Sequence, residues 1–236
     1  MLFDLDDTLF DHLHGARCAL TSVHQLHAAF AATPFADFAR AHARVLEHLH
    51  ARVVLGEIGI DAARLARFRE LFAEAGVEPS DDQVAAAATA YRLNYIAARR
   101  PVPGALALLE ALKPRVRIGI VSNNLWREQQ DKVDACGFGP YVDALVVSEE
   151  AGVAKPDPRI FAIALERLGA DAAEAVMIGD SWVNDIAGAA AAGVRSIWFN
   201  RSDLAPPADP LDIPELRALE PAAPVLAAIF GSGTRS

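Results

Sequence analysis

The chain is short of cysteine and of lysine. Its two cysteines, Cys18 and Cys136, lie far apart in a sequence of 236 residues. They cannot build a disulfide framework and have no metal-ligand spacing, so they read as free thiols of a reducing compartment, packed as small buried fillers. Of 22 basic residues only Lys113, Lys132 and Lys155 are lysines. Positive charge is scarce overall: 31 acidic residues leave a formal net charge of −9. Such a surplus repels a phosphate backbone and excludes a dedicated binder of nucleic-acid polymers. An acid already stands at Asp4 with no basic segment before it, so no secretory signal is expected. The long uncharged stretch Cys18–Ala36 contains His24, Gln25, His27 and Pro34 and reads as amphipathic rather than membrane-spanning. The expectation is a cytoplasmic protein with no membrane partner, a monomer or weak homodimer.

What is present suits a folded protein. Hydrophobic residues make up 53% of the chain and charged ones 22%, enough for one or two cored domains and far from general disorder. Met1–Leu5 is an apolar stub ending in carboxylates and reads as a short buried strand. It is short enough that a true start upstream of Met1 would lengthen it. From about Asp11 to Arg100 no strand-like run occurs. Apolar residues recur there at helical spacing through Cys18–Phe30, Phe38–Leu55, Leu65–Ala75 and Val84–Ala97. Ser80 and Gln83 fit a capping box at the start of the last of these helices.

After Arg100 short apolar runs, Val116–Val121, Ala144–Val147, Ala175–Ile178 and Ser196–Phe199, alternate with helical stretches. Gly137, Gly169 and Gly193 mark helix ends, and Asp157-Pro158 caps a helix start. Alternation of this kind predicts an α/β fold with a Rossmann-like parallel sheet covered on both faces. The first strand needs that sheet to pair with. Residues 1–11 and 101–236 therefore form the expected core, and 12–100 an inserted helical domain. Ligands of such sheets bind beyond the carboxyl ends of the strands.

Polar residues gather at those ends. In an extended segment Asp4 and Asp6 point to one side, so two carboxylates converge there. Ser122, Asn123 and Asn124 follow the second strand and offer a hydroxyl and backbone amides at a helix start, an anion site. Lys155 precedes Pro156 and Asp157. Asp180 and Asp185 follow the fourth strand. Converging hard oxygen ligands suit Mg²⁺, and a lysine beside a helix start suits a phosphoryl group.

The set Asp4-Leu-Asp-Asp-Thr8, Ser122, Lys155-Pro and Gly179-Asp180 with Asp185 resembles the four motifs of the haloacid dehalogenase (HAD) superfamily, in that family's order. The insert between the first two resembles its helical cap. The resemblance implies a Mg²⁺-dependent phosphatase acting on a small phosphorylated metabolite. In that reading Asp4 is the nucleophile, forming an aspartyl-phosphate. Asp6 protonates the leaving oxygen and then deprotonates water, and Thr8 braces the loop. Ser122 and the Asn123 amide hold the phosphoryl oxygens, and Lys155 pairs with phosphate and Asp4. The metal is held by Asp4, the Asp6 carbonyl and Asp180, with Asp185 direct or through water. A cap hinged near Phe10–His12 and Arg99–Pro103 is expected to open and close. The stretches Ser122–Trp126 and Ser148–Pro158 are similar to branches that include pyrimidine nucleotidases and sugar-phosphate phosphatases. Two other reactions belong to the same superfamily, phosphomutation and 2-haloacid dehalogenation. The second is disfavoured because a halide leaving group needs no acid at Asp6.

Other polar residues read as structural. Asp7 neighbours the acid pair but faces away in the pattern. All seven histidines precede residue 51, and no cysteine or acid cluster completes a metal set around His24 and His27. Arg44, Arg52, Arg92, Arg99 and Arg100 read as surface charge.

Overall fold

The computed structural model describes residues 1–54, 56–207 and 213–231. It divides into two compact units, Met1–His12 with Arg99–Ser236, and Leu13–Ala98. In the first unit β1 (Leu2–Phe3), β2 (Gly119–Ser122), β3 (Ala144–Val147), β4 (Val176–Gly179), β5 (Arg195–Phe199) and β6 (Glu215–Leu216) form a sheet in the order β3-β2-β1-β4-β5-β6. Every pairing is parallel. Parallel neighbours need crossovers, and the helices Ala105–Leu112, Trp126–Ala135 and Pro158–Leu168 lie in those connections. β1 sits between β2 and β4, where the strand order reverses, so its carboxyl end opens on the crevice such sheets use for ligands.

Burial follows the strand pattern. Leu2, Val121, Val146 and Met177 pack with Ile160, Phe161, Ala164 and Leu168 of the helix Pro158–Leu168 in one core cluster. β3 keeps the bounds expected from sequence, while the others shift by a few residues. β2 starts at Gly119 rather than Val116 because the Val116 amide turns back to the Leu112 carbonyl, at 3.0 Å, closing the preceding helix. β1 ends at Phe3 because the amides of Leu9 and Phe10 both reach the Leu5 carbonyl, folding the chain into a turn. β6, two partly exposed residues, has no hydrophobic signal that sequence reading could have found. Gly137, Gly169 and Gly193 all take positive φ, as their places after helices require. The Asp157 side chain caps its helix by accepting from the Arg159 amide, with Pro158 at the first position.

The second unit is helical. His12–Leu26, Phe35–Val54, Ile60–Glu74 and Asp81–Ala97 are its main helices, with a short turn at Ala28–Ala31. The first starts earlier than the apolar spacing suggested, and it stops where His27 becomes extended (φ −115°, ψ 119°). Leu55, the expected end of the second helix, lies outside the described residues. Phe30 stacks on Phe38 and Phe72 at 4.8 and 4.4 Å between ring centres, giving this unit a core of its own. The capping box forms: Ser80 Oγ accepts from the Gln83 amide, and Gln83 Oε1 accepts from the Ser80 amide.

The segments expected to serve as hinges run side by side. Phe10 bridges Pro101 in antiparallel fashion, and the Val102 amide reaches the Leu9 carbonyl at 2.7 Å. Asp11, fully buried, accepts from Arg100 and Arg201, each at 2.9 Å. Burial favours its neutral form, but these guanidinium groups outweigh that and hold the carboxyl below its ordinary range. Among the described residues no helix is long and apolar enough to cross a membrane.

Candidate active site

Asp4 leaves β1 with its amide still bonded to the Ile178 carbonyl of β4, at 2.9 Å, so the strand end fixes its backbone. Asp180 directly follows β4, and Asp185 lies in the wide-turn helix Trp182–Ala187, a widening of the helical turn that is often found at functional sites. The Ser181 hydroxyl caps it by accepting from the Asn184 amide, and the Ser181 amide donates to Asp185 Oδ2 at 3.0 Å. Gly179 makes room for this: a Cβ there would fall 2.4 Å from the Asp185 carboxyl carbon. Trp198 of β5 donates its indole N–H to the Asp180 carbonyl at 2.8 Å. Trp182 packs edge-on against that indole, so its place beside the loop is a brace for the Asp180 backbone.

Lys155 is held through its backbone. The Asn123 carboxamide accepts from the Lys155 amide at 2.7 Å and donates to the Lys155 carbonyl at 2.8 Å. This employs the Asn123 side chain, whereas sequence reasoning assigned only its backbone amide. The Lys155 ammonium then donates to Asp4 Oδ1 at 2.5 Å and to Asp185 Oδ1 at 2.6 Å. One carboxylate oxygen from each of Asp4, Asp180 and Asp185 lies within 4.8 Å of the others. The sequence placed these residues after three different strands, and the structure brings them to one point. Thr8 is fully buried, with its hydroxyl 3.5 Å from Asp180 Oδ1, consistent with bracing the loop.

The charges at that point do not cancel. Burial, then the neighbouring Asp185 and Asp180, push the Asp4 carboxyl well above its ordinary range despite Lys155. Burial, Asp185 and Asp7 push Asp180 up to about 7. Lys155 goes the other way from a lone buried amine: burial alone would lower it, but Asp185 and Asp4 hold it above its usual value. Three carboxylates face one ammonium, and the surplus disfavours full ionisation. All-oxygen donors with excess negative charge are what a hard divalent cation requires, so the residues fit such an ion.

Asp6 belongs to a different set. Its expected place beside Asp4 assumed extended backbone, but the strand ends at Phe3, and Asp7 takes a left-handed conformation (φ 61°) in the turn that follows. The Asp6 carboxylate lies outside the three-aspartate cluster. Both its oxygens accept from Lys132, at 2.6 and 2.8 Å, and one accepts from Gln129 at 2.9 Å. Burial would raise it, but Lys132, His12 and these hydrogen bonds bring it down to about 2. Sequence reasoning assigned no role to Lys132 or Gln129. Lysine scarcity was the available signal: two of the three lysines meet aspartates of this site.

Ser122 is buried at the end of β2, its hydroxyl 2.5 Å from the Gln129 amide nitrogen. The helix expected to begin beside it starts at Trp126, and the Trp126 amide is taken by Glu149 Oε2 at 2.8 Å. Any anion here is therefore offered the Ser122 hydroxyl and loop amides rather than that helix's first amide. Cys136 is buried and its thiol is pushed up to about 11 by burial, an inert filler as expected. Cys18 is only partly buried, because its Sγ lies 3.6 Å from the His14 ring on the same helix rather than in the core.

Residues 1–193 match the haloacid dehalogenase-like hydrolase family. The chain is 32% identical to a phosphoserine phosphatase of Thermus thermophilus over 92% of its own length and 94% of that protein. It is 43% identical to the pyrimidine 5'-nucleotidase YjjG of Escherichia coli, but over 42% of this chain and 45% of that protein, under half of either. The solved HAD-hydrolase YfnB of Bacillus subtilis, bound to magnesium, superposes with a TM-score of 0.74 at 26% identity, covering 95% of this chain and 96% of that one. A 2-haloacid dehalogenase of Pseudomonas syringae also superposes, with a TM-score of 0.63 at 28% identity and 96% of each chain covered. The match over residues 1–193, with a relative 32% identical over nearly the whole of both chains, establishes that the chain belongs to the haloacid dehalogenase-like hydrolases.

Proposed function

We propose that this protein is a phosphomonoester hydrolase that requires Mg²⁺ and works through an aspartyl-phosphate on Asp4. The observation that carries the reading is the combination at one sheet edge: Asp4, gripped by Lys155 beside two further carboxylates, and a second acid two residues later. Asp4, Asp180 and Asp185 would hold the ion, with the Asp6 carbonyl as the further ligand that the family resemblance implies. When bound, Mg²⁺ supplies positive charge against the phosphoryl oxygens, so that one anion can approach another.

In the first half-reaction an Asp4 carboxylate oxygen bonds to phosphorus while the ester P–O bond breaks. Asp6 is ionised in the free protein, so it first takes up a proton as the substrate binds; it passes that proton to the leaving oxygen, which departs as an alcohol. Water then attacks phosphorus, giving its proton to Asp6. The P–O bond to Asp4 breaks, Asp4 regains its carboxylate, and phosphate leaves. Lys155 holds Asp4 in place and compensates phosphoryl charge. Ser122 and the Asn123 amide donate to the non-bridging oxygens.

Asp6 distinguishes this reading from dehalogenation. A carbon–halogen bond breaks to give a halide that needs no proton, and an acid two residues after the nucleophile would have no task. The named phosphatase relatives support the same side. The substrate class we assign is a small phosphorylated metabolite, a nucleotide or sugar phosphate among the candidates, handled in the cytoplasm. We assign residues 12–100 as the substrate-selecting cap. The test is phosphate release from p-nitrophenyl phosphate and a panel of phosphorylated metabolites, with Mg²⁺ and with EDTA. Release that needs the ion is expected. Chloride release from a 2-chloroacid with no phosphate release would overturn the reading. Conversion of a hexose monophosphate to an isomer without free phosphate would replace it with a mutase.

A further inference from the structure

Gln129 and Lys132 lie three residues apart on the helix Trp126–Ala135, a spacing that puts both on one helix face. Both are buried, which is unusual for glutamine and lysine. Lys132 grips the two oxygens of Asp6 together, at 2.6 and 2.8 Å, and its ammonium lies 5.2 Å from the Phe10 ring centre. The Gln129 carboxamide nitrogen donates to Asp6 Oδ2 at 2.9 Å and to Ser122 Oγ at 2.5 Å. One side chain thus ties the proposed proton carrier to the hydroxyl proposed to hold the phosphoryl group. Its own oxygen is buried without a hydrogen-bond partner among the described residues. Leaving such an acceptor unmet is costly, so its retention calls for a reason beyond packing.

We propose that Lys132 and Gln129 are positioning residues that aim the Asp6 carboxyl at the leaving oxygen and set its distance from the phosphoryl grip of Ser122. The proposal rests on the phosphatase reading above. Lys132 fixes the plane of the carboxyl by holding both oxygens, and Gln129 fixes its offset from the end of β2. Neither touches the reacting atoms; each acts through Asp6. The consequence is selective. An alkyl leaving group departs poorly without a well-placed proton, whereas p-nitrophenolate departs with little help. Misplacing Asp6 therefore penalises alkyl esters far more than p-nitrophenyl phosphate.

The test compares kcat/KM for β-glycerophosphate and p-nitrophenyl phosphate in the full-length wild type, Lys132→Met, Lys132→Arg and Gln129→Leu. This ratio reports steps up to departure of the alcohol, so slow hydrolysis of the aspartyl-phosphate does not mask the effect. For Lys132→Met we expect a loss of about 100-fold on the alkyl ester, within the range of one acid–base contribution, and within about threefold on the aryl ester. Lys132→Arg restores part of the alkyl activity, because a guanidinium also grips a carboxylate with two donors. Gln129→Leu shows the same selectivity and stands in if Lys132→Met does not fold, as judged by circular dichroism and melting temperature. Equal losses on both esters in the folded variants would overturn the positioning role while leaving the phosphatase reading intact. A wild type that hydrolyses neither ester would instead remove the reading on which it rests.

Discussion

Lys155 and Lys132 are both buried ammonium groups that meet aspartates, yet their surroundings differ in charge. Lys155 faces Asp4 and Asp185 directly, with Asp180 in the same cluster. Lys132 meets Asp6, whose remaining contact from this helix is the neutral Gln129. The first set holds more negative charge than its lysine can compensate, and two of its carboxyls are raised. The second is matched, and its carboxyl is lowered. One cluster has a surplus of negative charge that suits a further cation, and the other is balanced without one. The difference lies in the number of aspartates around each lysine, since both lysines are buried to a similar degree.

The largest effect should come from removing the nucleophile. Asp4→Asn is expected to lower phosphate release by at least about 10⁴-fold while leaving the fold intact. Activity near wild type in that variant would end the covalent mechanism. Next, Lys155→Met deprives Asp4 and Asp185 of the ammonium bonded to them, and kcat should fall by about 10²–10³-fold, the scale of a lost electrostatic donor. Asp180→Asn should act chiefly on the ion. The Mg²⁺ concentration for half-maximal activity should rise by about 10–100-fold, with much of the activity returning at high Mg²⁺. An unchanged Mg²⁺ requirement would mean that Asp180 does not bind the metal.

The charge surplus also has a pH signature. Asp180 has a folded value of about 7 against an ordinary 3.8, so the folded state prefers it protonated. Its contribution to stability is therefore full below the ordinary value and is lost as pH rises through about 7. A bound cation offsets that loss. The rise in melting temperature on adding Mg²⁺ should consequently be larger at pH 8 than at pH 5.5. Equal rises by differential scanning fluorimetry would contradict the surplus. The smallest effect belongs to the remaining lysine. Lys113 pairs with Asp143 at 2.6 Å near the surface, both side chains about a third exposed. Lys113→Ala should change stability by less than about 1 kcal/mol in denaturant titration and leave activity unchanged.

Much of the site was legible because its residues sit at strand ends, which a linear pattern can locate. Asp4, Ser122, Lys155, Asp180 and Asp185 each follow or flank an apolar run, and the structure brings them to one edge of the sheet. Asp6 illustrates the limit. Alternation along an extended chain put it beside Asp4, but the turn at Asp7 gave it different neighbours. Gln129 and Lys132 were not legible as site residues because they sit in the interior of a helix, where a polar residue ordinarily faces water. Asn123 was legible as a residue of the site, but its grip on the Lys155 backbone was not.

By itself the sequence determined the class of fold, the positions of the acids and the places where helices stop. Those features are set by hydrophobic period, by capping chemistry and by glycine at left-handed positions, all of which act over a few residues. Only the tertiary structure decided which aspartate each lysine serves. Lys132 and Asp6 are 126 residues apart, and Lys155 and Asp4 are 151 apart. Their meeting depends on β1 lying between β2 and β4, which fixes the neighbours of its carboxyl end. A local pattern can place a charge at the end of a strand, but the charge it finds there is set by the order of the strands.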